Sequence, residues 1–288
     1  MKKDIILLAL SLLIFVSLSG CRRRTEAIGP VGFPNYRVKS LSQRLNQENN
    51  HPSTVPIKYA VLINGDGDNR FTADITVSYE ILLENGFRAE NIYILNYSAL
   101  ETYYHPVDDV LTKSNLKLLF SYLKNKTTNR DLLFVYVTDH GERVKKISLY
   151  PLRFVDLSTI DLVDEQIDQV EFANLFDGMN INLGIFVFNQ CFSGGFAEEL
   201  GRNNFIAVAS TKASKGGYDD VGDSFCGFFM LAFRDWRVSD TNKDGKVSIS
   251  EAVEYAKQRN SYSRNKQQEP FIQSDLDPKK VFLNLPTF

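Results

Sequence analysis

Short apolar runs rich in β-branched and aromatic residues alternate along this chain with stretches in which apolar positions recur every three or four residues. The runs at 58–64, 91–95, 132–137, 185–188 and 205–210 have strand length and little polar interruption. That is the pattern of strands covered on both faces, as in a parallel sheet. Between and after them, 73–85, 114–124, 170–177, 224–236 and 250–258 have helical spacing; Gly86 closes the first and Ser114 stands where a cap belongs on the second. A hairpin is expected over 145–152 and a last strand over 280–285. The alternation predicts an α/β fold, a three-layer sandwich with a mostly parallel sheet and helices on both faces. No internal repeat interrupts it.

The amino-terminal part follows other rules. Lys2 and Lys3 precede an apolar stretch at 5–16, too short for a comfortable membrane span, and Leu18-Ser19-Gly20-Cys21 follows. This segment resembles the signal and lipobox of bacterial lipoproteins. The resemblance implies removal of residues 1–20, a lipid on the Cys21 sulfur, and tethering in the cell envelope on the periplasmic or cell-surface face. An ordinary secretory signal with an incidental Cys21 is the alternative. Residues 21–56 are polar and aperiodic, the composition of a flexible spacer, which leaves 57–288 as one domain.

Composition narrows the function. The 288 residues, 43% hydrophobic, suffice for a full-sized core, and a net charge of -2 argues against a nucleic-acid partner. With Cys21 lipidated, only Cys191 and Cys226 remain, too few for a disulfide scaffold. Cys226 lies in an apolar helical stretch and reads as a buried small hydrophobe. Cys191 is different, because it closes a strand.

The run ending at Val137 leads into Thr138-Asp139-His140-Gly141, and the run ending at Phe188 leads into Asn189-Gln190-Cys191-Phe192-Ser193-Gly194-Gly195. Carboxyl ends of parallel strands share the edge where such sheets bind ligands. A cysteine nucleophile and its imidazole base would therefore meet there, with the Gly141 and Cys191 amides as oxyanion donors and His140 protonating the leaving amine. Of the three His, His51 falls in the spacer and His105 in a loop.

Thr138-Asp139-His140-Gly141 and Cys191-Phe192-Ser193-Gly194 resemble the His-Gly and Cys motifs of the caspase and legumain clan of cysteine peptidases. The first strand, followed by Asn69-Arg70-Phe71-Thr72-Ala73-Asp74, is similar to the opening of legumains. The resemblance implies a caspase-like fold and a thioester acyl-enzyme acting on peptide or protein substrates, with no cofactor for catalysis. It also makes Arg70 and Asp223 walls of the P1 pocket. Where legumains carry Glu two positions before the nucleophile, this chain has Asn189. An Arg with one acid can hold both ends of an amide, whereas a pair of acids favours Arg or Lys. The expectation is Asn or Asp at P1. A peptidase specific for Arg or Lys, and an inactive interaction module on the same fold, are the other readings.

A second constellation lies further on. Asp240-Thr241-Asn242-Lys243-Asp244-Gly245-Lys246-Val247-Ser248-Ile249-Ser250-Glu251 matches an EF-hand loop at its ligand positions. Asp240, Asn242, Asp244, the Lys246 carbonyl, Ser248 and Glu251 are the expected ligands of a structural Ca2+. The alternative is an Asp/Asn/Gly-rich turn with a helix cap.

Overall fold

The computed structural model describes residues 40–47, 55–99, 105–149 and 152–283, all within the unit Val38–Phe288. The expected signal segment and Cys21 lie outside the described residues. Chain order begins with α1 (Leu41–Gln47), β1 (Lys58–Asn64) and α2 (Asn69–Glu84), then β2 (Ile92–Asn96), β3 (Asp109–Val110), α3 (Lys113–Lys126) and β4 (Leu132–Thr138). β5 (Arg143–Leu149), β6 (Leu152–Asp161), β7 (Gln166–Asp168) and α4 (Gln169–Asn174) lead to β8 (Leu183–Phe188). After it come α5 (Gly194–Leu200), β9 (Phe205–Ala209), α6 (Phe225–Arg234), α7 (Trp236–Ser239), α8 (Ile249–Arg259), α9 (Ser261–Arg264) and β10 (Phe271–Ser274).

Seven strands form the main sheet in the order β10-β9-β8-β4-β1-β2-β3, parallel except for β10, which runs against β9. Alternation along each strand sorts its side chains into two cores. Tyr59, Val61 and Ile63 of β1 face one side, with residues of α1, α3, α4 and α5; Ala60 and Leu62 face the other, with α2, α6 and α8. This is the three-layer sandwich that the hydrophobic pattern predicts.

The differences from the sequence reading have local causes. α2 starts at Asn69 because the Asp68 side chain accepts a hydrogen bond from the Arg70 N–H. Thr112, not Ser114, caps α3, accepting from the Asn115 N–H at 3.1 Å. The expected hairpin is longer, and its strands β5 and β6 join β7 in a separate three-stranded sheet. The expected last strand reduces to a single bridge between Ser248 and Phe282, and the antiparallel strand is β10 instead.

Residues 41–47, which composition assigned to a flexible spacer, form a docked helix. Leu41 and Leu45 are buried in the core on the α3 side, while Arg44 forms an ion pair with Asp108 and lies over the Tyr93 ring at 4.3 Å. Two apolar side chains four apart and one cation are enough to fasten it. So short a helix leaves little periodic signal.

Candidate active site

β4 and β8 pair in parallel with Val137 opposite Phe188, and His140 and Cys191 each lie three residues past that pair. Adjacent strands lie about 4.8 Å apart, so equal offsets bring the two turns side by side. Gly141 shows how closely they meet. A Cβ added there would stand 2.7 Å from the Cys191 carbonyl oxygen and 2.7 Å from that of Thr159. Only a residue without a side chain fits between those two carbonyls.

The half-buried Cys191 thiol is held by the backbone of Gly217: Sγ accepts from the Gly217 N–H at 3.2 Å and donates to its carbonyl at 3.6 Å. Among the described residues no hydrogen bond links Sγ to the His140 ring. That ring is exposed and meets the edge of buried Phe71 at 5.3 Å. Directly after Cys191, Phe192 has φ 58°, a left-handed conformation that costs about 1 kcal/mol or more for a non-glycine residue. Its N–H donates to the Lys215 carbonyl at 2.9 Å. The sharp turn presents Cys191 at the sheet edge.

Asp139, the residue before the His, is buried, and burial pushes its carboxyl well up, with neighbouring Asp161 and Asp66 adding to the effect. The His140 N–H, donating at 2.6 Å, pulls the other way. Burial prevails, so the carboxyl beneath the His loop holds its proton more tightly than an exposed one would. Nothing in its place in the sequence announces this.

Alternation along β8 turns Asn189 to the α2 and α6 side. Its amide nitrogen faces Asp219 Oδ2 at 2.8 Å, Asp74 Oδ2 at 3.1 Å and Ser224 Oγ at 3.1 Å. Two hydrogens thus serve three acceptors. Asp74 also accepts from the Ser224 hydroxyl at 2.8 Å and the Tyr136 hydroxyl at 3.0 Å. Burial raises Asp74 to about 6 against the pull of these hydrogen bonds. Burial and the nearby Asp74 raise Asp219 to about 8, with Arg70 opposing. Desolvation outweighs the cation, so the acids hold protons that exposed carboxyls would give up.

Arg70 lies beside this network, donating from Nη1 to the Asp219 carbonyl at 2.9 Å. Asp223 does not. Its carboxylate accepts from the Asn260 amide at 3.0 Å and the Ser261 N–H at 2.9 Å, and binds the Ser261 hydroxyl, fastening the turn between α8 and α9. The acid beside Arg70 and Asn189 is Asp219, whose Oδ1 is buried without a partner. Asp74 sat inside the quoted Arg70 motif; Asp219 had no signal beyond a polar loop.

The expected cation loop has the predicted turn. Gly245 takes φ +83°, Asp240 accepts from the Gly245 N–H at 2.8 Å, Asn242 from Asp244 at 2.8 Å, and Asp244 from Lys246 at 2.9 Å. Ser248 and Glu251 form a capping box at the start of α8. The Glu251 carboxylate also accepts from the Thr241 N–H at 3.0 Å and the Asn242 N–H at 3.2 Å. Hard oxygen donors suit Ca2+, and Glu251 has already closed onto the start of the loop. Among the described residues no three His, Cys, Asp or Glu side chains converge on one point, so Asn242, Ser248 and the Lys246 carbonyl would have to complete the oxygen shell.

Comparison with known proteins places the chain. The model of the Peptidase C13 family matches residues 108–283, a span that includes His140, Cys191 and the 240–251 loop and begins after Arg70 and Asp74. The crystal structure of protein GSU0716 from Geobacter sulfurreducens is similar with a TM-score of 0.57 and 14% identity, covering 80% of this chain and 98% of that one. At that identity the likeness speaks for the fold alone. No curated protein matches.

Proposed function

The chain belongs to the peptidase C13 family, and from that premise we propose that it is a cysteine endopeptidase with Cys191 as nucleophile and His140 as its base. The observation that carries this reading is the equal offset of both residues past the Val137–Phe188 pair, closed by Gly141 against the Cys191 carbonyl. His140 takes the thiol proton, the thiolate attacks the scissile carbonyl, and the N–H groups of Gly141 and Cys191 receive the oxyanion. Collapse expels the amine with the proton from His140 and leaves a thioester, which water then hydrolyses. Cys191 must first turn from Gly217 toward the imidazole.

Arg70 and Asp219 form the P1 receptor in this reading, with Asp219 in the role that the motif resemblance gave to Asp223. A side-chain amide donates to the free Asp219 Oδ1 and accepts from Arg70, which supports Asn or Asp at P1. The raised proton affinity of Asp219 leaves this pair with less negative charge near neutral pH than two ordinary carboxylates, which disfavours Arg or Lys. The enzyme acts from the cell envelope, tethered by a lipid on Cys21. Asp240, Asn242, Asp244, the Lys246 carbonyl, Ser248 and Glu251 would hold Ca2+, which supplies charge neutralisation that braces α8 and takes no part in the chemistry.

Thiol labelling tests the proposal. Iodoacetamide should modify Cys191 much faster than Cys226, which is fully buried and whose thiol burial pushes well up. His140→Ala should slow the first rate at neutral pH. Equal, slow labelling of both thiols favours a second reading, an inactive interaction module, which the hold of Gly217 on Cys191 supports. A peptide-library cleavage profile then reads P1 directly.

A further inference from the structure

A cleft of about 370 Å³ opens on the far side of Cys191 from the Arg70–Asp219 pocket, between the β5–β6 hairpin, α5 and residues 212–214. Two bare glycines let its walls approach the nucleophile. A Cβ on Gly195 would stand 2.3 Å from both Gln169 Oε1 and Ser158 Oγ, and one on Gly194 would stand 2.3 Å from the Ala213 nitrogen. Gly194 and Gly195 follow Cys191 by three and four residues. On the β6 side, Ser158 lines the cleft while the next carbonyl, that of Thr159, abuts Gly141 beside the Cys191 carbonyl. The cleft therefore begins where the reacting carbonyl group would lie.

Its position relative to the sheet gives it a direction. Asp74 and Ser224 of the P1 network belong to α2 and the cap of α6, on one face. α4 and α5, which carry Gln169 and Glu198, pack on the other. A peptide with its P1 side chain in the first site and its carbonyl at Cys191 has its leaving-group half free to enter the second. An extended residue advances about 3.3 Å, so the second or third residue past the scissile bond reaches the cleft.

Charge selects what enters. Arg143 is paired with Asp156 at 2.7 Å, and Lys212 shares the Glu269 carboxylate with Lys215. Among the described residues Glu198 carries no ion pair to a Lys or Arg, although it is exposed and lines the cleft. One carboxylate without an ion pair in a cleft also lined by the half-buried Phe271 suits an alkyl stem ending in a cation. Building on the peptidase reading, we propose that this cleft is a leaving-group-side subsite that takes a Lys or Arg side chain, with Glu198 as its selecting residue.

The test uses quenched peptides with Asn fixed at P1 and Lys, Ala or Glu at each of the three following positions. Turnover by the full domain is measured beside fluorescence anisotropy of the same peptides on a Cys191→Ala protein. Lys should exceed Ala by about five-fold at one position, the size of one exposed ion pair, and Glu should fall below Ala. Glu198→Gln should abolish that ranking and Glu198→Lys invert it, with P1 preference unchanged. Turnover with no Lys-over-Glu ranking, or a ranking that survives Glu198→Gln, overturns the subsite and leaves the peptidase reading intact. Absence of turnover with a Glu198-dependent ranking in binding keeps the cleft as a Lys or Arg side-chain site and overturns the peptidase reading with its leaving-group role. Absence of both overturns both.

Discussion

Gly141→Ala probes the join between the His140 and Cys191 turns, and the structure sets its size. The added methyl would stand 2.7 Å from two backbone oxygens and 3.0 Å from Gln190 Cγ, where ordinary contact begins near 3.4 Å. Backbone carbonyls cannot rotate away as a side-chain tip can, so the turns must part by about 0.7 Å, the difference between 3.4 and 2.7 Å. Overpacking of this kind costs about 1–3 kcal/mol, which for a domain of this size lowers Tm by roughly 3–10 °C. The kinetic loss should be larger than stability alone explains, because a displacement approaching 1 Å between reacting groups costs on the order of 100-fold in rate. Gly216→Ala is the matched control. Its Cβ would stand 3.9 Å from Cys191 Sγ, an ordinary contact, and should leave kcat/KM within about three-fold. Both variants would be followed by kcat/KM on a P1 Asn peptide, by thermal melting and by the rate of Cys191 alkylation. If Gly141→Ala stays within two-fold of the parent in kcat/KM at unchanged Tm, the placement of Gly141 between the Cys191 and Thr159 carbonyls is refuted.

Further expectations follow from the carboxyls and the loop. Below about pH 6 Asp74 and Asp219 both hold protons, and only the half-exposed Asp68 opposes Arg70, which favours a P1 Asp carboxylate; above about 8 both are ionised and repel it. The Asp-to-Asn ratio of kcat/KM should therefore fall as pH rises from 5 to 8.5, and a flat or rising ratio contradicts the assignment of Asp219. Asp223→Ala removes the acceptor for Asn260 Nδ2 and for the N–H and hydroxyl of Ser261, and should cost about 1–3 kcal/mol in thermal unfolding with P1 preference unchanged. A changed P1 profile at the parent Tm would return Asp223 to the pocket. Calcium at a hundred times its Kd should stabilise the domain by about 3 kcal/mol, reversibly on adding EGTA and not in Glu251→Gln. A melting curve indifferent to calcium and EGTA removes the cation from the account.

The strands were legible because burial on both faces of a parallel sheet demands unbroken apolar runs, and β1, β4, β8 and β9 display them. The docked helix α1 was not, since two apolar positions among polar ones make no period. Strand β10 was similarly hidden: all four of its residues are half-buried, with no clean alternation to mark an edge strand.

For the site, the sequence by itself determined the places of His140 and Cys191 at strand ends, Arg70 at a helix start, and the turn chemistry of residues 240–251. Each of these is local: a side chain at a fixed offset from an element that its neighbours specify. Only the tertiary structure decided which acid joins Arg70, because Asp219 and Asp223 share one polar loop, and the loop's course depends on Asn260 and Ser261, which lie 37 and 38 residues beyond Asp223. It also decided that Asp74 is a buried partner of Asn189, 115 residues away, and that desolvation overrides Arg70 there. Proton affinity depends on the medium that surrounds a carboxyl, and that medium exists only once the sheet, α2 and α6 have closed around it.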